Sequence, residues 1–215
     1  MITIYEFDKL KHLIKNKNNN TVLIGNNFTF DVQSQKIVGS NQQNQYLGRK
    51  VNINVLPRLI NKYRRRLQFE THLQAYILQN LENISVFQDE TFEWIGNEVS
   101  CGVGMQRIDI MLSIIRNLNS ICIPIELKST ESYLNITNQV QRYIDWLNQY
   151  YLPNKQSTIE PMIISRQIQD KTTQNYLDLI QEFRNFNTRN NLRLRYVEFI
   201  IDVNSNIINF NEIIY

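Results

Sequence analysis

Along the chain the spacing of apolar residues switches period several times, and each switch marks an element. Residues 105–115 hold Ile108, Ile110, Met111, Leu112, Ile114 and Ile115, and residues 121–127 hold Ile121, Cys122, Ile123, Ile125 and Leu127. Both read as strands, and runs this apolar are typical of strands covered on both faces. Upstream, a helical pattern extends from about 53 to 82, with Phe69, Leu73, Tyr76, Ile77 and Leu81 at helical spacing. Short strands are predicted at Ile84–Phe87 and Thr91–Ile95. Downstream, Val140, Tyr143, Ile144, Leu147 and Tyr151 predict a helix over 134–151, stopped by Pro153. Then come a strand at Met162–Ser165, a helix over 171–186 and a strand over 193–201. Helices and strands interleaved in this order imply an α/β fold (mixed α+β), with a central mixed sheet flanked by helices.

The N-terminal part has a different texture. Residues 3–17 predict a short helix ending in Asn18, Asn19 and Asn20. Thr21–Ile24 and Phe28–Val32 have strand character around a turn at Gly25, Asn26 and Asn27, and 39–48 read as a loop. A small appendage over residues 1–50 and a main domain over 51–215 are therefore expected. A chain of 215 residues suits that division.

Composition mostly excludes. Two cysteines and two histidines far apart in sequence support neither a disulfide framework nor a four-ligand zinc site. No charged start leads into an apolar run, and no apolar stretch has the length of a membrane helix, so a cytoplasmic protein without membrane contact is expected. A net charge of +3 decides nothing about partners, because local clustering matters more than the sum. The densest positive cluster is Lys62, Arg64, Arg65 and Arg66. It reads either as a solvated helix face or as a patch for phosphates.

The chemistry lies in the two apolar strands, because each carries acid. Asp109 sits among isoleucines, and Glu126 stands between Ile125 and Leu127 with Lys128 after it. Ionised groups in such surroundings are costly unless they bind something. If residues 116–119 form a four-residue hairpin loop, Ile115 pairs with Ser120 and Asp109 falls opposite Glu126 on one face. Lys128 then projects on the same face as Glu126. Two carboxylates this close repel, and a divalent cation relieves the repulsion. Mg²⁺ takes one or two carboxylates, keeps waters and accepts substrate phosphate, which makes the trio suited to phosphodiester hydrolysis.

These residues resemble the PD-(D/E)xK nuclease superfamily. Its second half stands here as Glu126, Leu127 and Lys128, and its leading acid as Asp109, although no proline precedes Asp109. Gln139 and Tyr143 on the following helix, and Glu70 on the helix before the sheet, are similar to the RecB-like branch, in particular the nuclease domain of the NucS/EndoMS endonucleases. The resemblance covers about residues 67–201. It implies a restriction-endonuclease-like core, in which Asp109, Glu126 and the backbone carbonyl of Leu127 bind Mg²⁺ (with Mn²⁺ able to substitute) and Glu70 supports the metal shell. It further implies that Lys128 positions the attacking water, and that Gln139 and Tyr143 contact the scissile strand or brace Lys128. Tyr143 also fits simple helix packing.

Arg107 and Arg142 are candidates for phosphate contact beside Arg64, Arg65 and Arg66. The expected activity is a Mg²⁺-dependent DNA endonuclease of the type II restriction kind, working as a homodimer. The alternatives are a repair nuclease for mismatched, branched or single-stranded DNA and an inactive nuclease-fold DNA-binding module.

Overall fold

The computed structural model describes residues 28–31, 33–34, 36–39, 54–102 and 106–215, and the chain divides into two units, residues 1–53 and 54–215. In the first unit, β1 (Phe28–Asp31) and β2 (Lys36–Gly39) form an antiparallel pair, with Phe28 opposite Gly39 and Asp31 opposite Lys36. The helix expected over 3–17, the strand at Thr21–Ile24 and its turn lie outside the described residues. So does the loop expected over 39–48, apart from Gly39, which ends β2.

The described residues of the second unit form four α-helices and one seven-stranded mixed sheet. The helices are α1 (Leu56–Arg64), α2 (Glu70–Gln79), α3 (Thr137–Trp146) and α4 (Gln174–Asn190). The strands are β3 (Thr91–Ser100), β4 (Arg107–Arg116), β5 (Asn119–Glu131), β6 (Thr158–Ile159), β7 (Met162–Arg166), β8 (Arg195–Asp202) and β9 (Ile207–Ile213). The sheet order is β3-β4-β5-β7-β8-β9, with β6 also beside β5. β3, β4 and β5 are antiparallel, β5, β7 and β8 are parallel, and β9 returns antiparallel to β8. β6 and β7 pair with β5 in one register and are separated at Pro161, which has no N–H to give a ladder.

The sheet is covered on both faces, which explains the apolar runs. Leu59 and Ile60 of α1 and Leu73 and Ile77 of α2 pack with Ile110, Leu112, Ile123, Ile125 and Leu127. Val140 and Ile144 of α3 and Phe183 and Phe186 of α4 pack with Met111, Cys122, Ile163 and Tyr196 on the other side. The mixed α/β class expected from the sequence is the class observed.

Several elements differ from expectation for identifiable reasons. The helical pattern over 53–82 is two helices. α1 closes when Leu67 N–H bonds the Lys62 carbonyl and Arg66 N–H bonds that of Tyr63, with Arg66 left-handed at φ 54°. That is a Schellman closure, for which glycine is the usual signal; arginine hides it. The strand expected at Ile84–Phe87 is instead a pair of 3₁₀ turns, Leu81–Asn83 and Ser85–Phe87. Leu81, Ile84 and Phe87 are buried at a spacing of three, the 3₁₀ period. β3 runs to Ser100 because an edge strand needs no continuous apolar face; most of its residues are exposed. β9, which sequence reading passed over, buries only Ile208 and Phe210 among asparagines and glutamate. The helix expected over 134–151 is α3, preceded by a 3₁₀ turn and followed by a π-helical turn over Leu147–Tyr151. α4 starts later than expected, behind Thr173, whose side chain accepts from Tyr176 N–H as an N-cap.

Candidate active site

The β4–β5 hairpin sets the site. Ile115 does pair with Ser120, but Arg116 also pairs with Asn119, so the loop is the two residues Asn117 and Leu118 and not four. Both have positive φ, 51° and 65°, as a tight turn matched to strand twist requires. The shorter loop leaves the register unchanged. The ladder runs to Ile110 against Ile125, and one further step sets Asp109 against Glu126.

Beyond that point β5 outruns its partner, and carboxylates take the place of the missing ladder. Leu127 N–H donates to Asp109 Oδ2 at 2.7 Å, and Ser129 N–H donates to Glu70 Oε2 at 3.0 Å. Backbone donors inside a protein need partners, and here acids from β4 and from the first turn of α2 provide them. N–H and C=O of one strand residue face the same edge, so the Leu127 carbonyl looks toward Asp109.

Glu126 is the deepest of the acids, with 1% of its side chain exposed. Lys128 Nζ donates to its Oε1 at 2.5 Å. The Tyr143 hydroxyl donates to its Oε2 at 2.5 Å and lies 2.8 Å from the Arg107 carbonyl oxygen. One hydroxyl proton faces two acceptors.

Two further residues complete the surroundings. Gln74, one turn after Glu70 on α2 and 7% exposed, donates from Nε2 to the Asp109 carbonyl at 2.7 Å and to Glu98 Oε1 at 3.1 Å. Glu98 has a positive φ of 51° and also pairs with Arg107 at 3.2 Å. Gln74 thus fixes the backbone that carries Asp109. Replacing Gln74 with Ala is expected to cost about 1–3 kcal/mol, the typical cost of leaving buried acceptors without a donor. Urea unfolding measures this; an unchanged midpoint would show that the brace carries no energy.

Three carboxyl groups, from Glu70, Asp109 and Glu126, gather around one ammonium, and the titration of the site reflects it. Burial, and then the neighbouring Glu126, push Asp109 up to about 7, against the pull of Leu127 N–H and Lys128. Burial alone would lower Lys128, but Glu126, followed by Glu70 and Asp109, holds it above its ordinary value as an ammonium. Burial, followed by the charge of Glu126, raises Tyr143, which keeps its proton. Burial also lifts the Cys101 thiol nearby to about 11, too high for a thiolate nucleophile.

Among the described residues, no set of three or more His, Cys, Asp or Glu side chains is arranged to hold a metal ion. The available donors are two carboxylates and a backbone carbonyl, all hard oxygen. Mg²⁺ is commonly bound by one or two carboxylates, with water and phosphate completing its shell, so this donor set fits it.

The fold thus brings together Asp109, Glu126, Lys128, Glu70 and Tyr143 of the residues singled out by sequence. Tyr143 meets Glu126, not Lys128. Gln139, one turn earlier on α3, accepts from the Tyr133 hydroxyl at 3.0 Å at the surface. Arg107 is tied to Glu98, and Arg142 is exposed on α3. Arg64 donates to the Val203 carbonyl at 2.9 Å, and Arg65 and Arg66 are exposed at the end of α1. Sequence reasoning missed Gln74, Glu98 and Ser129; the spacing of Glu70 and Gln74, four apart on one helical face, was the one available signal. Compared with models of protein families, with curated proteins and with solved structures, the chain matches none.

Proposed function

We propose that this chain is a Mg²⁺-dependent DNA endonuclease of the type II restriction kind. One observation carries the reading. One step past the last paired residues of a core strand pair, Ile110 and Ile125, come Asp109 and Glu126, with Asp109 Oδ2 on the Leu127 N–H and Lys128 ion-paired to Glu126 at 2.5 Å. Asp109, Glu126 and the Leu127 carbonyl would hold the metal, with Glu70 supporting the shell. When bound, Mg²⁺ supplies Lewis acidity toward a phosphodiester. Lys128, kept charged by its neighbours, orients the attacking water and offsets the negative charge that develops on the phosphate. Tyr143 fixes the rotamer of Glu126 by its hydrogen bond. Cutting both strands of a duplex is easiest with two such sites, which a two-fold homodimer would supply.

The test is incubation of supercoiled plasmid with the purified protein, in Mg²⁺, in Mn²⁺ and in EDTA. Discrete fragments with either metal and none with EDTA are expected. Nicking or smearing would move the reading to a repair nuclease. No cleavage of duplex, mismatched or branched DNA would sink it.

A further inference from the structure

A second feature lies beside the carboxylate cluster, at the carboxyl ends of the parallel strands β5 and β7. An open cavity of about 470 Å³ is lined by Tyr63, Arg64, Arg66, Phe69, Ser129, Thr130 and Arg166, with Leu67 and Gln68. Three arginines line it, Arg64 with Nη2 already donating to the Val203 carbonyl, and none of its lining residues is acidic. Arg166 is only partly exposed at the end of β7, and Arg66 is held at the end of α1. Neither forms an ion pair among the described residues. Arginines with no carboxylate partner, next to two hydroxyls in a concave site, form a receptor for a phosphate-like anion: forked donors matched to its oxygens, and hydroxyls to take the rest. The cavity is contiguous with the candidate active site, because Ser129 lines it and also bonds Glu70. Ligands in such sheets bind outside the carboxyl ends of parallel strands.

An L-residue in the left-handed conformation that closes α1 is strained at Arg66, and glycine would relieve the strain.

We propose that this cavity is a seat for a backbone phosphate of the bound DNA strand, formed by Arg66, Arg166 and Arg64 with the hydroxyls of Ser129 and Thr130. The choice of DNA as the source of that phosphate rests on the nuclease reading above. β5 bulges between Leu127 and Glu131, and on β7 Arg166 lies three residues beyond Ile163, the partner of Glu126, roughly 10 Å along the strand. The seated phosphate is therefore a flanking one, and the seat fixes the register of the strand over the carboxylates. Arg65, in the same basic run, does not line the cavity and has no part in the seat.

The test is fluorescence anisotropy of a labelled duplex in EDTA, across a range of KCl concentrations, for wild type, Arg166→Gln, Arg66→Gly and, as a control, Arg189→Gln on α4. A lost phosphate contact lowers the slope of log K against log salt by about 1. That loss is expected for Arg166→Gln and for Arg66→Gly, and not for Arg189→Gln. Arg66→Gly should melt no lower than wild type because it relieves strain, so its weaker binding is not a folding defect. Inorganic phosphate should displace DNA from wild type more effectively than from Arg166→Gln. Slopes equal to wild type in both seat variants, or no DNA binding by wild type, would overturn the seat. Seat variants that lose slope while wild type cuts no DNA would leave the seat standing and remove the nuclease reading. Wild-type cleavage with seat variants that bind and cut like wild type would remove the seat alone.

Discussion

Glu126→Ala is expected to abolish plasmid cleavage in Mg²⁺, with a loss of roughly a thousandfold or more in kcat. In the proposed mechanism Glu126 has two tasks: it would offer an oxygen to the metal, and it holds Lys128 and Tyr143 by contacts of 2.5 Å each. Deleting one preorganised electrostatic group in an active site typically costs 10²–10³ in kcat, about 2.7–4 kcal/mol, and here two groups are disturbed. Lys128→Ala is expected to cost about 10²–10³, since only the charge and its water contact are lost. Lys128→Arg should not rescue, because a planar fork cannot replace a compact ammonium in a pocket whose side chain is 18% exposed. Tyr143→Phe removes one hydrogen bond of about 1 kcal/mol and should cost about tenfold or less. The graded order of Glu126, Lys128 and Tyr143 is the signature; equal losses in all three would point to general misfolding. The melting temperature of Glu126→Ala should fall, because the change leaves the Lys128 ammonium and the Tyr143 hydroxyl without their buried partner, so circular dichroism of each variant is compared before its activity. Full cleavage by Glu126→Ala would overturn the assignment.

How much of this was legible follows from where the information sits. The hairpin register was readable, because Asp109 and Glu126 are embedded in apolar runs and the turn residues are polar. A register survives an error in loop length: four residues or two, Ile115 still meets Ser120. The division at Arg66 was hidden, since an arginine occupies a position where glycine would have announced a helix end. Gln74 and Ser129 were hidden for another reason. Their roles come from chain crossings, Gln74 of α2 against β4 and β3 and Glu70 of α2 against the end of β5, and nothing local to either residue reports them. Arg166 was missed as well, since it closes a buried strand by sequence and becomes a cavity wall only when β7 lies beside β5. What one strand pair determines could be read from spacing; what three elements determine together could not.

The metal should also be visible without any cleavage, in the pH dependence of stability. Asp109 titrates near 7 in the metal-free fold, raised by burial and by Glu126 from an ordinary value of 3.8. Between those values the native state holds a proton that the unfolded chain has released. The stability this group contributes is therefore fully present below about 3.8 and is lost as pH rises through about 7. The loss is on the order of a few kcal/mol, which for a domain of this size lowers the melting temperature by roughly 5–15 °C. Glu93, Asp170 and Asp202 are all held below their ordinary values by hydrogen bonds, so they act on stability only at acid pH. His72, held below its ordinary value by burial and then by Lys62 and Arg58, acts in the opposite sense between about pH 5 and 8, so the part due to Asp109 is the difference between wild type and a variant that lacks its carboxyl group.

In the proposed reading, Mg²⁺ would compete with the proton for the same oxygens. It should raise the melting temperature strongly at pH 8 and weakly at pH 5; at a hundred times its Kd the gain is about 2.7 kcal/mol. Asp109→Asn provides the control. The amide oxygen can still accept from Leu127 N–H, but nothing remains to titrate. This variant should be more stable than wild type at pH 8 without metal, should lose most of the slope between pH 5 and 8, and should gain little from Mg²⁺. Calorimetry of both proteins at the two pH values, with and without Mg²⁺, reads all four quantities. A slope shared by wild type and Asp109→Asn, or a Mg²⁺ effect equal at both pH values, would mean that Asp109 is not where the cation binds.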